Sequence, residues 1–421
     1  MKTLTVLALI LILPGALLAQ SEEAPPVASS KSPAELAIER AQKAIATNPK
    51  NQGAYNDLAL AFARRARETS DTTSYTKAEE ALAKSGALAP DSLETRKLHV
   101  WVLLGRHEFA RARDEAEALN RRVPDDVLVY GLLADAHAEL GNYDKAEEAV
   151  QWMLDLRPGN VPGLTRAAYL RELFGDVEGA IEMMAQAYQR TSQAEVEDQA
   201  WILTHVAHLE LMRGNAEAAD QILQQALGFF PDYHYALANL AKVRAAQKKY
   251  GEAAELLERR YRNAPHPENL FDLAEALELA GRKQEAGRAF AEFEQKARKE
   301  MEKWDNSNRE LVFYYAGHAG NPAEALKVAR LEAARRSDVN TLHALAWALY
   351  ANGNYSEART QMEKALAVGI RDARFFLHAG EIAWKQGDRT AAERYLRQAE
   401  ALKSPEAAAL LASLATSTSG Q

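Results

Sequence analysis

Residues 127–158 read VLVYGLLADAHAELGNYDKAEEAVQWMLDLRP. Tyr130, Leu133, Ala134 and His137 recur at i, i+3, i+4 and i+7, which is one face of a helix. Gly141-Asn142 stops that helix, because glycine tolerates the left-handed turn that closes it. A second helix begins at Tyr143-Asp144 and carries the apolar stripe Ala146, Val150 and Met153. Pro158 ends the unit, since proline cannot continue a helix. His137 falls on the apolar face and is expected to pack in the core.

The unit repeats. Pro90, Pro124 and Pro158 lie 34 residues apart, as do Pro231 and Pro265, Gly141 and Gly175, and Gly353 and Gly387. A fixed period of this size marks an array of small units, none of which can bury its apolar stripe alone. Period and pattern resemble the tetratricopeptide repeat, whose consensus places large apolar, small and aromatic residues at set positions, a glycine between the helices and a proline at the end. Leu342, Leu345, Ala346, Leu349, Gly353, Tyr355, Ala358, Met362 and Ala365 fit it, and so do Leu237, Leu240, Ala241, Tyr250, Ala253, Leu257 and Pro265. The resemblance implies an all-α, right-handed superhelical solenoid over residues 34–403.

About ten units follow a lone second helix at Ala34–Pro49, starting near Gln52, Leu93, Val127, Val161, Gln199, His234, Asn269, Asn308, Asn340 and Ala373. Three depart from the pattern. In the first, Phe62 and Tyr75 are 13 residues apart where the consensus has 6, so seven are inserted. The unit at Leu93 has a poorly phased first helix. The unit at Asn308 is irregular and follows a charged stretch, Gln295–Asn308, expected to extend a second helix outward. At the end, Ser404-Pro405-Glu406 is a good helix start, so Ala407–Leu414 is expected to cap the array, with a frayed tail from Thr416 to Gln421.

Composition agrees with a helical array. The 421 residues are 47% apolar, ample for a large core, and the formal charge of −8 gives no basic field for nucleic acid or anionic lipid. There is no cysteine, which excludes disulfides, thiolate metal sites and cysteine nucleophiles. The first residues read separately. Lys2, the aliphatic run Leu4–Leu13, the break at Pro14-Gly15 and the small residue Ala19 have the layout of a secretory signal spanning 1–19. The run is shorter than the roughly 20 residues of a membrane span. Residues 20–33, with Pro25-Pro26, read as a flexible linker. The mature chain is therefore expected to be periplasmic or secreted, without a membrane span.

No catalytic constellation is visible. The glycines sit singly at turns, so no loop cradles a phosphate, and no serine stands in a nucleophile elbow. His205 and His208 fall one turn apart with Glu210 on another face, too few ligands for a stable metal site. Asn354-Tyr355-Ser356 matches a glycosylation sequon by chance in a chain of bacterial character. No enzyme activity, cofactor or metal is expected.

The resemblance implies that set positions of each first helix line a concave groove. Carried over by register, these are Trp201, Thr204, His208, Leu211 and Met212, then Tyr235 and Lys242, then Phe271 and Glu275 with Glu278. The unit at Asn340 contributes His343, Trp347 and Tyr350. The last unit contributes Arg374, Glu381, Trp384 and Lys385. Aromatics interleaved with charges suit a peptide segment or protein partner. The alternative is a polysaccharide-binding module, since sugars stack on exposed aromatics such as Trp347 and Trp384. Some family members clamp a C-terminal carboxylate with Lys and Asn. Asn239 and Lys242 offer part of that clamp, but the remaining spacing is not met.

Overall fold

The fold is taken from a computed structural model, which describes residues 31–416. The expected signal segment, most of the linker and the last five residues lie outside that range. Among the described residues there are 22 α-helices and no strand. None of these helices is long and apolar enough to cross a membrane.

Helix α1 (Pro33–Thr47) stands alone and starts with a reciprocal cap between Ser32 and Glu35. Ten helix pairs follow. The first helices are α2 (Gln52–Thr69), α4 (Leu93–Gly105), α6 (Val127–Glu139), α8 (Val161–Leu173), α10 (Val196–Met212), α12 (His234–Ala246), α14 (Pro267–Leu279), α16 (Asn308–Phe313), α18 (Val339–Ala351) and α20 (Ala373–Lys385). The second helices are α3 (Thr73–Leu88), α5 (Phe109–Arg122), α7 (Tyr143–Leu156), α9 (Val177–Arg190), α11 (Ala216–Phe229), α13 (Tyr250–Asn263), α15 (Lys283–Glu300), α17 (Pro322–Ala333), α19 (Tyr355–Leu366) and α21 (Arg389–Ala401). Helix α22 (Pro405–Thr416) ends the array, and the Ser404 hydroxyl accepts the Ala407 amide at its start.

Small residues sit where paired helices approach. Ala134 and Ala146 of the α6–α7 pair are 3% and 0% exposed, and Ala346 and Ala358 of the α18–α19 pair are fully buried. The unphased α4 is nonetheless a regular helix. It buries Leu98, Val100, Val102, Leu103 and Leu104, which lie on more than one of its faces, so no single stripe was readable. His137 is buried, as expected. The insertion in the first unit lengthens helix rather than loop: α2 runs 18 residues where α6 and α8 run 13. The charged stretch extends α15 to 18 residues, as the sequence suggested. The irregular unit at Asn308 contains a π-helical turn, Tyr314–His318, directly after α16.

The coil winds tightly enough to touch itself. The extension of α2 carries Arg67, which pairs with Glu197 and, at 2.6 Å, with Asp198 at the start of α10. His234 at the start of α12 donates Nε2–H to the Arg67 carbonyl at 2.8 Å. A second closure lies further along. Arg336 Nη1 is 3.2 Å from Glu139, Ser337 Oγ donates to the Leu140 carbonyl at 2.9 Å, and the Val339 amide donates to the Tyr143 hydroxyl at 2.9 Å. Turns about six units apart are thus docked through side-chain bonds, two of them to backbone groups. A Cβ on Gly141 would fall 2.5 Å from the Ser337 oxygen, and one on Gly175 2.6 Å from the Gly369 oxygen. One hydrophobic cluster crosses this seam, joining Val100 and Leu132 to Leu349 and Phe375.

Candidate functional site

First helices of successive units touch one another along much of the array and form a wall. The N-terminal part of that wall holds a pocket of about 480 Å3. Leu128 and Leu132 of α6, Tyr169 of α8, and Trp201 of α10 line it, with Trp101 of α4 alongside. Its charges are internally paired. Arg166 holds Asp135 with two bonds of 2.8 and 2.5 Å, and Arg67 holds Asp198. What remains open to an incoming group is therefore mostly apolar and aromatic, and Leu128 is 38% exposed there.

Beside Trp201 the sequence pair His205 and His208 gains a partner it was expected to lack. Glu172 of α8 sits on their face, its two oxygens 2.7 Å from His205 Nε2 and 3.1 Å from His208 Nε2. Burial pushes the Glu172 carboxyl up, but hydrogen bonds from the two imidazoles outweigh it and hold the group well below its usual value. Among the described residues no group of three or more His, Asp or Glu is arranged to hold a metal ion. Thr204, carried over as a groove residue, is buried and donates its hydroxyl to the Ala200 carbonyl at 2.7 Å. His205, one residue on, reaches the pocket instead.

The remaining groove candidates divide by exposure. Tyr235, Lys242, Arg374, Trp384 and Lys385 are exposed. Phe271 and His343 are core residues, 2% and 4% exposed, and do not line a groove surface. The π-helical turn places His318 6.3 Å from the Phe271 ring, while Phe293 covers it at 5.1 Å. His343 lies between Phe313 and Phe375, with centroid distances of 5.4 and 3.9 Å, and shares a 2.8 Å hydrogen bond with His378. Trp347 is half-buried and stacks on His378 at 3.6 Å and on Tyr350 at 4.7 Å. The Tyr350 hydroxyl donates to Glu381 at 3.1 Å. Glu275 lies 3.6 Å from Arg374, whose guanidinium sits 4.2 Å above the Phe313 ring. This C-terminal wall is therefore tied together by its own contacts, and Trp384, 40% exposed, is its open aromatic.

Residues 98–161 and 343–407 match the sequence profile of the tetratricopeptide repeat family. The two stretches contain α5, α6 and α7 entire and most of α18 through α21. A search of curated protein sequences finds no match. Among solved structures, the human IFIT1 dimer with m7Gppp-AAAA is similar at 14% identity, with a TM-score of 0.51 over 89% of this chain and 96% of that one. The APC/C hetero-tetramer Cut9-Hcn1 is similar at 14% identity and a TM-score of 0.47 over 90% of this chain. The chain spans 59% of the length of that Cut9-Hcn1 chain. Yeast Tom70 is similar at 14% identity and a TM-score of 0.42, over 90% of this chain and 92% of that one. At such identities the likeness is one of fold: a helical-repeat solenoid.

Trp101, Asp135, Arg166 and Tyr169 are pocket residues that the sequence reading did not single out. Leu128, Asp135 and Tyr169 occupy the same register positions that gave Trp201 and His208 in the next unit, so the repeat itself carried the signal. Trp101 and Arg67 could not be found this way, because one lies in an unphased helix and the other in an insertion.

Proposed function

We propose that the protein is a non-catalytic interaction scaffold that binds a peptide segment of a partner on its concave wall. The pocket of α6, α8 and α10 carries this reading. It offers Trp201, Tyr169 and Trp101 together with exposed Leu128, while its charged groups are already matched to one another. Such a surface rewards an apolar or aromatic anchor, because the gain is area removed from water without stranding a charge. The segment then runs along the inner wall toward exposed Trp384. The signal-like layout of residues 1–19 supports export, with the mature chain starting at Gln20 and its partner in the cell envelope.

Peptides selected from a random library against the full chain test the site. Trp201→Ala and Leu128→Glu should each weaken a selected peptide roughly thirtyfold, the effect of losing about 2 kcal/mol. Trp152→Ala, exposed on a second helix, should leave affinity unchanged. Peptides that bind Leu128→Glu at full strength place the site elsewhere. Export is tested separately by N-terminal sequencing of protein from the extracytoplasmic fraction, where a retained Met1 refutes cleavage.

A further inference from the structure

A second cavity, of about 260 Å3, shares Arg67 and Trp101 with the first. Its walls come from parts of the chain that only the closure of the coil brings together: α2 and α3, α4 and the turn after it, the starts of α12 and α14, and the α15–α16 loop. Tyr75, Trp101 and Tyr235 supply aromatic surface, Glu268 and Asp305 supply carboxylates, and Arg67 supplies a donor. The Tyr75 ring lies flat against Gly105, where a Cβ would collide with it.

The chemistry of these walls is selective. Burial raises the Tyr75 phenol, and both it and the Tyr235 phenol stay neutral O–H groups. Burial also raises Glu268, but Arg309 and Arg260 outweigh it and hold the carboxyl below its usual value, so it is an ionised acceptor. Arg67 spends its terminal nitrogen on Glu197 and Asp198, while its buried Nε has no partner. Arg64 stands beside it in the lining, with no partner among the described residues nearer than Glu195 at 3.8 Å.

Each class of occupant meets these groups differently. A phosphate or carboxylate faces Glu268 and Asp305, which repel it. A cation faces Arg64 and Arg67, which also line the cavity. An apolar side chain desolvates two carboxylates without pairing them, which is costly. A neutral ring bearing several hydroxyls satisfies all of them: its O–H groups donate to Glu268 and Asp305, its oxygens accept from Arg67 and the phenols, and its C–H face lies on the aromatics. The volume is just under the roughly 300–1,000 Å3 of drug-sized pockets, which suits one such ring.

We infer that this chamber, bounded by Arg67, Tyr75, Trp101, Tyr235, Glu268 and Asp305, is a binding site for a neutral sugar ring, free or at the end of a glycan. It shares Arg67 and Trp101 with the peptide pocket but does not rest on that reading.

Titration of the full chain with glucose, N-acetylglucosamine, maltose, glucose 6-phosphate and alanine, followed by ligand-observed NMR, tests the assignment. At least one neutral sugar should bind saturably, and glucose 6-phosphate and alanine should not compete with it. Maltose against glucose distinguishes a chain end from a free ring, and binding of either supports the site. Tyr235→Phe, which keeps the ring and removes one hydroxyl, should weaken binding roughly fivefold. Glu268→Gln should weaken it roughly tenfold. Leu128→Glu, in the peptide pocket, should leave it intact, so the two sites fail separately. Melting temperatures of both chamber variants identify any loss that comes from folding. No saturable binding of any neutral sugar, tighter binding of the phosphate or the amino acid, or sugar binding untouched by both chamber variants overturns the inference.

Discussion

His343 and His378 show how one residue type changes meaning with its surroundings. Both are buried, joined by a 2.8 Å hydrogen bond, and held by burial well below the ordinary imidazole value. Unfolded, each takes up a proton near pH 6.5. Folded, neither does until far lower pH. The pair therefore contributes stability that is full above that value and is lost as pH falls through and below it. The melting-temperature difference between pH 7 and pH 5 should shrink in His378→Gln, measured by circular dichroism against the unchanged chain. An equal difference in both proteins would mean that the pair is not the acid-sensitive element. The sequence marked His343 as a groove residue because repeat register tells which way a side chain points and not what covers it. Phe313 and Phe375 cover it here, and Phe313 belongs to one of the units whose register the sequence left irregular. Trp201 has the same kind of register address and does line a pocket, because the units around it are regular.

At the scale of elements, the repeat pattern made the helix pairs and their close contacts readable, since both follow from local spacing. Ala346 is one such contact, fully buried at a position where the pattern demands a small residue. Ala346→Leu should overpack it and cost about 1–3 kcal/mol, while exposed Lys364→Ala should change the denaturation midpoint little. What the pattern could not tell is which turns dock on one another, because that depends on the summed twist of six units. Gly141 and Gly353 hold the same repeat position and the same φ of 76°. A methyl group on either meets the same left-handed strain. Only at Gly141 would it also strike the Ser337 backbone, whereas nothing lies within 4 Å of Gly353. Gly141→Ala should therefore lose about 1–3 kcal/mol more than Gly353→Ala. Equal losses in chemical denaturation would show that the seam contributes nothing to stability. The seam also has a pH dependence of its own. Burial and then Asp338 raise the Glu139 carboxyl to about 7 against the opposing pull of Arg336, with Asp135 and Arg309 also facing it. The docked state thus holds this proton more firmly than the undocked one, and its contribution weakens as pH rises through 7.

Over the whole molecule, closure changes what kind of object the array is. An open solenoid has only nearest-neighbour contacts, so a lesion in its first unit loosens that unit and leaves distant ones alone. Here the first unit touches the fifth and sixth. The seven inserted residues, an anomaly in the sequence, lengthen α2 so that Arg67 reaches Glu197 and Asp198, and its carbonyl accepts from His234. Glu197 depends on that contact. It is 8% exposed, and apart from Arg67 its carboxylate accepts the Tyr233 hydroxyl at 2.6 Å. Removing the guanidinium leaves a buried carboxylate short of a partner, which typically costs about 1–3 kcal/mol and more when the group is charged. A third of the Arg67 side chain is exposed, so water reaches the gap and keeps the loss in that range. The effect should appear far along the chain. In Arg67→Met, amide hydrogen exchange should rise at the start of α10, around residues 197–199, and at the start of α12, around residues 234–237, which are 130 residues or more from the substitution. Exchange in α20 and α21, beyond reach of this closure, should stay as it was. Arg65→Met is the matching control, because Arg65 pairs only locally with Glu35 of α1 at 2.6 Å. If Arg67→Met raises exchange only in α1–α3, as Arg65→Met should, the array behaves as an open solenoid. The chamber would then have no fixed far wall, because Tyr235, Glu268 and Asp305 reach it only through that closure.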